Sequence, residues 1–279
     1  MKVLVTGVSG QLGFDVMREL LAHGIEAKGA SRSDFSLTDF ASMRRFVEVH
    51  RPTAIIHCAA YTAVDKAEDE PELCREVNAA ATGELARLAK EIGAKFLYIS
   101  TDYVFPGTGE DFYEPEDEKA PCNVYGESKL LGEEAARKEI DELFIVRISW
   151  VFGENGKNFI KTMLRLAETH EELSVVGDQI GSPTYTRDLA RLLADMIVTE
   201  KYGVYHATNE GTCSWAELAA EALRCAGKKT RVKAIKTEEY PTKAKRPKNS
   251  RLSKKCLDDA GFSRLPDWRD AVARYVALI

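Results

Sequence analysis

The chain has 279 residues, of which 44% are hydrophobic and 30% charged, and its formal net charge at pH 7 is −5. This length can bury a full hydrophobic core without disulfides or metals, and the mild acidity argues against a dedicated nucleic-acid-binding protein. No apolar run approaches the ~20 residues of a membrane span, and we expect no membrane association. The charge is uneven, because twelve Lys and Arg but only two acids lie between Lys228 and Lys255, a local net charge of +10 against −15 elsewhere.

The six cysteines are widely spaced and form no Cys-x-x-Cys pair. Such spacing does not favour a zinc site or a redox dithiol. We therefore predict reduced thiols, a cytoplasmic protein and no metal site.

The first half of the chain alternates between predicted strands and helices. Strands are predicted at 3–6, 26–31, 54–58, 95–100 and 143–151, and helices at 11–23, 39–50, 71–92 and 124–138. A loop rich in Pro, Gly and acids, at 106–121, lies between the predicted strand at 95–100 and the predicted helix at 124–138. Repeated β-α-β units of this kind predict an α/β fold with a doubly wound parallel sheet of the Rossmann type.

After residue 152 the alternation changes. Helices are predicted at 158–169, 186–199, 214–225 and 268–278, with short strands at 173–176, 204–207 and 232–235. We predict a dinucleotide-binding domain at 1–152, to which the chain returns around 172–198. Residues 153–279 then form a smaller α/β part that mainly binds substrate, separated from the first by a cleft.

A glycine-rich turn lies between the first strand and the first helix. Gly7, Gly10 and Gly13 have the spacing G-x-x-G-x-x-G. In a strand–turn–helix, such glycines allow a tight turn, close approach of a pyrophosphate and close helix packing. The free N–H groups of the helix N-terminus also bind phosphate. This turn predicts a dinucleotide cofactor.

The end of the second strand bears on the choice of coenzyme. Proteins that bind NAD usually carry an acidic residue there, about 20 residues after the glycines. This chain has Ser31 and Arg32. A hydroxyl and a guanidinium suit a 2′-phosphate, so we predict NADPH, with NADH as the alternative.

Three side chains predict a carbonyl-reducing centre. Tyr125 and Lys129 are i and i+4 on one helix, so they lie on the same face. A nearby ammonium stabilises the phenolate and lowers the tyrosine pKa, which makes a general acid. Thr101 follows an apolar strand at the edge where ligands bind, and its hydroxyl can polarise the same carbonyl oxygen.

The sequence resembles the extended short-chain dehydrogenase/reductase superfamily, and more closely the dTDP-4-dehydrorhamnose reductase family. The resemblance spans nearly the whole chain. Its most specific stretches are VTGVSGQLG (5–13), AAYTAVDKAE (59–68), STDYVFPG (100–107), NVYGESKLLGE (123–133), RISWVFG (147–153), NFIKTMLRLA (158–167), DQIGSPT (178–184) and RPKNSRL (246–252).

The resemblance implies roles for individual positions. Thr101, Tyr125 and Lys129 match the catalytic triad, with Tyr125 as proton donor and Lys129 also holding the nicotinamide ribose. Positions that match the family's cofactor-contacting residues are Gly10, Gln11, Leu12, Ala60, Tyr61 and Thr62. Positions that match its contacts to the nucleotide sugar are Asp102, Trp150 and Arg246.

The reaction implied by the resemblance is the NADPH-dependent reduction of the C4 ketone of dTDP-6-deoxy-L-lyxo-4-hexulose to dTDP-L-rhamnose. That product would feed a cell-wall polysaccharide or O antigen. The family likeness also allows a homodimer. One branch of the family uses magnesium at its dimer interface, although no acidic cluster in this sequence calls for it.

Two alternatives remain open at the level of sequence. One is another nucleotide-sugar enzyme of the superfamily, an epimerase or a dehydratase. Dehydratases that resemble this chain carry an acid after Thr-Asp, where this chain has Tyr103. The other is a non-catalytic regulatory subunit resembling the methionine adenosyltransferase β subunit. Within the basic segment we expect Arg246 alone to contact the substrate diphosphate directly, with most other bases solvated.

Overall fold

The computed structural model describes all residues from Met1 to Ile279. Its α-helices, numbered in chain order, are α1 (Gln11–Ala22), α2 (Phe40–His50), α3 (Val64–Ala67), α4 (Pro71–Arg75), α5 (Ala81–Glu91), α6 (Val124–Glu139), α7 (Phe159–Leu166), α8 (Thr186–Ile197), α9 (Trp215–Cys225), α10 (Lys255–Asp259) and α11 (Trp268–Val276). Its strands are β1 (Lys2–Thr6), β2 (Glu26–Ala30), β3 (Ala54–His57), β4 (Lys95–Thr101), β5 (Leu143–Ile148), β6 (Val151–Phe152), β7 (Glu172–Val176), β8 (Ile180–Gly181), β9 (Thr184–Tyr185), β10 (Gly203–His206), β11 (Asn209–Glu210), β12 (Cys213–Ser214), β13 (Arg231–Ile235), β14 (Asn249–Ser250) and β15 (Leu265–Asp267).

Six strands form one sheet in the order β10-β5-β4-β3-β1-β2. Every neighbouring pair in it is parallel. The strand order reverses between β1 and β3, and ligands of such sheets bind in the crevice at the carboxyl ends of those strands. The predicted doubly wound parallel sheet is confirmed.

Alternation along the strands gives the sheet two separate cores. Val3 and Val5 of β1 belong to one cluster, with Leu193 of α8. Leu4 points to the opposite face and belongs to a second cluster, with Leu85 of α5. Because successive strand residues face opposite sides of the sheet, an apolar strand such as β1 packs against helices on both faces.

Short strands and three helices make up most of the remainder. β7 pairs with β13, and β8 pairs with β12 and β14, outside the six-stranded sheet. A further core joins α9 to α11 through Leu218, Trp268 and Tyr275. None of the helices is long and apolar enough to cross a lipid bilayer.

The chain returns to the large sheet through α8 and β10. Leu189 and Leu193 of α8 pack in the same core as α1, and β10 pairs with β5 at the sheet edge. By contrast, residues 172–176 form β7, which pairs with β13 instead. The segment that rejoins the sheet therefore runs to His206, beyond the 172–198 predicted. The division into two domains stays a prediction.

Two predicted elements are interrupted, both near the crevice. The predicted strand 143–151 ends at Ile148, because Trp150 adopts a left-handed backbone with φ of 49°. The predicted helix 71–92 contains a π-helical turn at Glu76–Ala80, between α4 and α5. Such turns often occur at functional sites.

Candidate active site

The glycine-rich turn joins β1 to α1 at the crevice. Gly7 has φ of +72°, and a Cβ there would lie 2.8 Å from the backbone of Ala59. At Gly13, inside α1, a Cβ would collide with the carbonyl oxygen of Gly7. The turn therefore needs glycine at position 7 for its backbone conformation and at position 13 for the close approach of the helix.

The start of α1 fits a pyrophosphate. Its N-cap residue is Gly10, which has no side chain to bind the first N–H groups, and no acidic residue lies in the first turn. Leu12 is buried in the core, while the Gln11 side chain accepts a hydrogen bond from Asn158 at 3.1 Å. Free N–H groups and the helix dipole attract phosphate, so these residues fit the predicted dinucleotide.

The end of β2 presents charges of both signs. Arg32 is exposed, with no ion pair within the chain, so its guanidinium is free to meet a phosphate. The N–H and hydroxyl of Ser31 both donate to Asp34 at 2.8 Å. The hydrogen bond from the Ser31 backbone lowers the pKa of Asp34. This carboxylate, to which the sequence pattern assigned no role, can bind ribose hydroxyls as acids at this place do in NAD proteins.

The loop after β3 is held by an asparagine of the π-helical turn. Ala60 and Tyr61 are half-buried, and Thr62 is exposed. The amide of Asn78 accepts from the Tyr61 N–H at 2.8 Å and donates to the Tyr61 carbonyl at 3.0 Å. It also donates to the Ser128 hydroxyl at 2.9 Å. Asn78 thus ties the predicted cofactor loop to the helix of Tyr125 and Lys129. Its only sequence signal was one amide in a run of alanines.

β4 ends in a hydrogen-bonded Thr-Asp turn. The Thr101 hydroxyl donates to Asp102 Oδ1 at 2.9 Å and accepts from the Tyr103 N–H at 3.2 Å. Asp102 is 3% exposed, yet its Oδ2 has no hydrogen-bond partner. A buried carboxylate oxygen without a partner is costly, so it is suited to accept a hydrogen bond from a ligand.

α6 brings Tyr125 and Lys129 to the same place. The Asn123 side chain caps its first turn by accepting from the Gly126 N–H at 2.8 Å. Lys129 Nζ donates to the Ile99 carbonyl of β4 at 2.7 Å and lies 4.0 Å from the centre of the Tyr98 ring. Strand β4 therefore positions both Thr101 and the ammonium of Lys129.

Burial controls the ionisation of these groups. It lowers the pKa of Lys129 to about 7 and raises the pKa of Asp102 to about 6. Burial also raises the pKa of Tyr125, and the charge of Asp102 adds to this, whereas a hydrogen bond with Thr101 lowers it. Thr101 and Tyr125 are thus close enough to influence one another, and Lys129 is held against the same strand through Ile99.

A buried ion pair lies one helical turn beyond Lys129. Arg147 of β5 is fully buried and binds both oxygens of Glu133, at 2.8 and 2.7 Å. The Ser100 hydroxyl donates to the same carboxylate at 2.6 Å, and Arg147 also donates to the Pro115 carbonyl at 2.9 Å. The pair joins β4, β5, α6 and the loop 106–121. No pattern in the sequence predicts this pair.

Trp150 stands against the C-terminal part of the chain. Its ring stacks on Trp215 with centroids 3.9 Å apart, and Gly181 leaves room for it, since a Cβ there would lie 2.9 Å from the indole. A non-glycine residue with positive φ is strained, and such strain concentrates at functional sites. This geometry favours a ligand-facing role over a simple core position.

A cavity of about 810 Å³ lies between residues 106–110, which follow the Thr-Asp turn in the chain, and residues 237–251. Its cationic lining residues are Lys243, Lys245, Arg246, Lys248 and Arg251. Arg246 Nη2 donates to Asp65 at 2.6 Å. Arg246 therefore lines this cavity while it is paired with Asp65.

Acids elsewhere in the chain neutralise much of the basic segment. Seven of its twelve cations form ion pairs: Lys228, Arg231, Lys243, Arg246, Lys248, Lys254 and Lys255. Eight of the twelve bases are nevertheless exposed to water, in agreement with the expectation that most of them are solvated. Lys245 and Arg251 are the cavity cations that lack an ion pair. No cluster of three or more His, Cys, Asp or Glu side chains is placed to hold a metal ion.

A parallel sheet with a dinucleotide-type glycine turn at its crevice defines a Rossmann-type α/β protein. The family model "RmlD substrate binding domain" matches residues 1–279. The chain belongs to this family.

Known relatives cover the whole chain. It is 41% identical over 275 residues to "Spore coat polysaccharide biosynthesis protein SpsK" of Bacillus subtilis, which covers 99% of this chain and 96% of that protein. It is 39% identical over 290 residues to the dTDP-4-dehydrorhamnose reductase of Burkholderia thailandensis, covering 98% and 97%. A crystal structure of the dTDP-4-dehydrorhamnose reductase of Bacillus anthracis in complex with NADP superposes with a TM-score of 0.97 at 40% identity, covering 100% and 99%.

Proposed function

We propose that this protein reduces the C4 ketone of dTDP-6-deoxy-L-lyxo-4-hexulose to give dTDP-L-rhamnose, with NADPH as reductant. The observation that carries the proposal is that Lys129 donates to strand β4 at Ile99, the strand that ends in Thr101, while Thr101 lies within hydrogen-bond reach of Tyr125. A basic cavity lined by Arg246 offers room for a diphosphate. The dTDP-4-dehydrorhamnose reductases among the relatives support the substrate, and the bound NADP in one of them supports the coenzyme.

Each residue of the triad has a task in this reaction. NADPH, when bound, supplies the hydride for C4. The Thr101 hydroxyl turns from Asp102 to the ketone oxygen and orients it by a hydrogen bond. Tyr125 gives its proton to that oxygen as the negative charge develops. Lys129, held by the Ile99 carbonyl, stabilises the resulting phenolate as a cation and reaches the nicotinamide ribose.

The proposal predicts that kcat for ketone reduction falls as the pH rises above about 7. Burial lowers the pKa of Lys129 to about 7, so above that pH the side chain becomes neutral. A neutral amine no longer stabilises the Tyr125 phenolate, and proton donation slows. The measurement is kcat at saturating substrate and coenzyme across the neutral range. In Lys129→Arg the guanidinium stays charged, so this decline should vanish even if kcat is lower overall. An equal decline in that variant would contradict the assignment.

The test of the function itself compares dTDP- and UDP-linked 4-keto-6-deoxy sugars, each with NADPH and with NADH, using the purified protein alone. We expect stoichiometric loss of NADPH with the dTDP-linked ketone and slower turnover with NADH, since the exposed Arg32 guanidinium is free to meet a 2′-phosphate. An epimerase or dehydratase would convert its sugar without net consumption of NADPH. A regulatory subunit would bind NADP without turnover.

The proposal also covers the location of the protein in the cell. We propose a cytoplasmic location, supported by six cysteines that are all unpaired thiols. The predicted homodimer stays a prediction.

A further inference from the structure

The basic cavity is closed on one side by residues 242–246, here called the strap. The strap lies against α3, which follows the predicted cofactor loop at 60–62. Asp65 of α3 accepts the Ala244 N–H at 3.0 Å through Oδ1 and Arg246 Nη2 at 2.6 Å through Oδ2. Both oxygens of one carboxylate are therefore committed to the strap.

Two further contacts hold the strap without using Asp65. Lys243 forms an ion pair with Asp69, and both side chains are more than half exposed. The Asn123 side chain, which also caps α6, donates to the Lys245 carbonyl at 2.8 Å. Together with the Ala244 hydrogen bond, these contacts hold the strap backbone. The side-chain contact that only Asp65 makes is the one to the Arg246 guanidinium.

The Arg246 side chain is 18% exposed, whereas that of Asp65 is 47% exposed. Only one guanidinium nitrogen of Arg246 binds Asp65. The same guanidinium also lies close to the Tyr103 side chain. Because a guanidinium has five N–H donors, others remain for an anion in the cavity that Arg246 lines. A flexible arginine loses much rotamer freedom when it binds a phosphate, and a partner that holds it beforehand removes that cost.

We propose that Asp65 is a positioning residue for a nucleoside diphosphate: it holds the Arg246 fork toward the cavity, and so sets the affinity for the diphosphate-linked substrate. This inference rests on the proposed function and deepens it. Charge alone predicts the opposite effect, because an acid beside a cationic cavity repels a dianion and would lower its affinity. Asp65 is half exposed, so water screens its longer-range repulsion of the dianion, whereas its hydrogen bond with the largely buried Arg246 is a direct contact at 2.6 Å.

Asp65→Asn and Asp69→Asn form a matched pair for the test. Each removes one negative charge from the same part of the chain, but only Asp65 binds Arg246. The experiment measures binding of dTDP to the NADP⁺-loaded protein by titration calorimetry. We expect Asp65→Asn to weaken dTDP binding about tenfold, the scale of a lost charge-assisted hydrogen bond. Asp69→Asn should bind dTDP as well as the native protein or slightly better. Equal or tighter binding in Asp65→Asn would overturn the inference.

Two further measurements separate positioning from general damage. In turnover, Asp65→Asn should raise KM for the sugar nucleotide about tenfold while kcat and NADP⁺ affinity stay near native, because the lost contact touches neither Tyr125 nor the glycine turn. In an Arg246→Lys background, which keeps the charge but loses the fork, Asp65→Asn should cause little further loss. A full additional tenfold loss there would contradict a role through Arg246. If the native protein itself fails to bind dTDP, the proposed function fails, an outcome distinct from loss in the variant alone.

Discussion

Replacing Tyr125 with Phe should lower kcat for ketone reduction by about 10³-fold, within the usual range for loss of a general acid. The hydroxyl is the group that lies at the Thr-Asp turn, on the same helix face as the Lys129 ammonium. Phe keeps the ring and its edge-on packing on Tyr103, at 5.6 Å between centroids, so the site should keep its shape. The measurement is single-turnover oxidation of NADPH with the dTDP-linked ketone, alongside coenzyme binding, which should stay near native.

Tyr205→Phe is the matched control. It removes a hydroxyl that donates to the Lys201 carbonyl at 2.6 Å, on edge strand β10 and away from the triad. It should cost some stability but little turnover. If Tyr125→Phe retained turnover comparable to this control, Tyr125 would not be the proton donor.

Replacing Arg147 with Met should reduce the free energy of unfolding by about 3–5 kcal/mol, the usual cost of leaving one partner of a buried ion pair alone. Glu133 is 1% exposed and would lose the two hydrogen bonds that Arg147 donates. The Pro115 carbonyl would lose its donor as well. Urea unfolding of the native and variant proteins gives this difference directly.

Two variants show whether the buried charge is the cause. Arg137→Met removes a half-exposed arginine that lies 3.8 Å from the same Glu133 carboxylate, and should cost less than about 1 kcal/mol. The double variant Glu133→Met/Arg147→Met removes both buried charges and should recover much of the lost stability. A double variant less stable than Arg147→Met would refute this explanation.

Local spacing was enough to predict the parts of the site that lie within one element. Tyr125 and Lys129 share a helix face because 3.6 residues make a turn, and Thr101 could be placed at the sheet crevice because an apolar strand precedes it. The glycines at 7 and 13 marked the turn by the close contacts that they alone permit. Family resemblance extended these predictions to Trp150 and Arg246.

Other features were beyond the sequence patterns, because the partners are far apart in the chain. Asp65 and Arg246 are 181 positions apart, and as a half-exposed acid at the start of a helix Asp65 looked like a solvated charge. Asn78 gained its role only when a π-helical turn aimed its amide at Tyr61. Arg147 in a β-strand, and Glu133 among the charges of α6, gave no sign of being a buried pair.

The basic segment 228–255, with its local net charge of +10, also shows what the sequence determines and what the tertiary structure decides. Composition and periodicity determined that this chain forms a parallel α/β sheet with a dinucleotide turn and a Tyr/Lys helix, since those depend on neighbours within a few residues. Tertiary structure decided which charges pair, because pairing depends on which surfaces the packing brings together. It paired seven of the twelve bases in that segment with acids and left a basic cavity lined by Arg246 and four further cations.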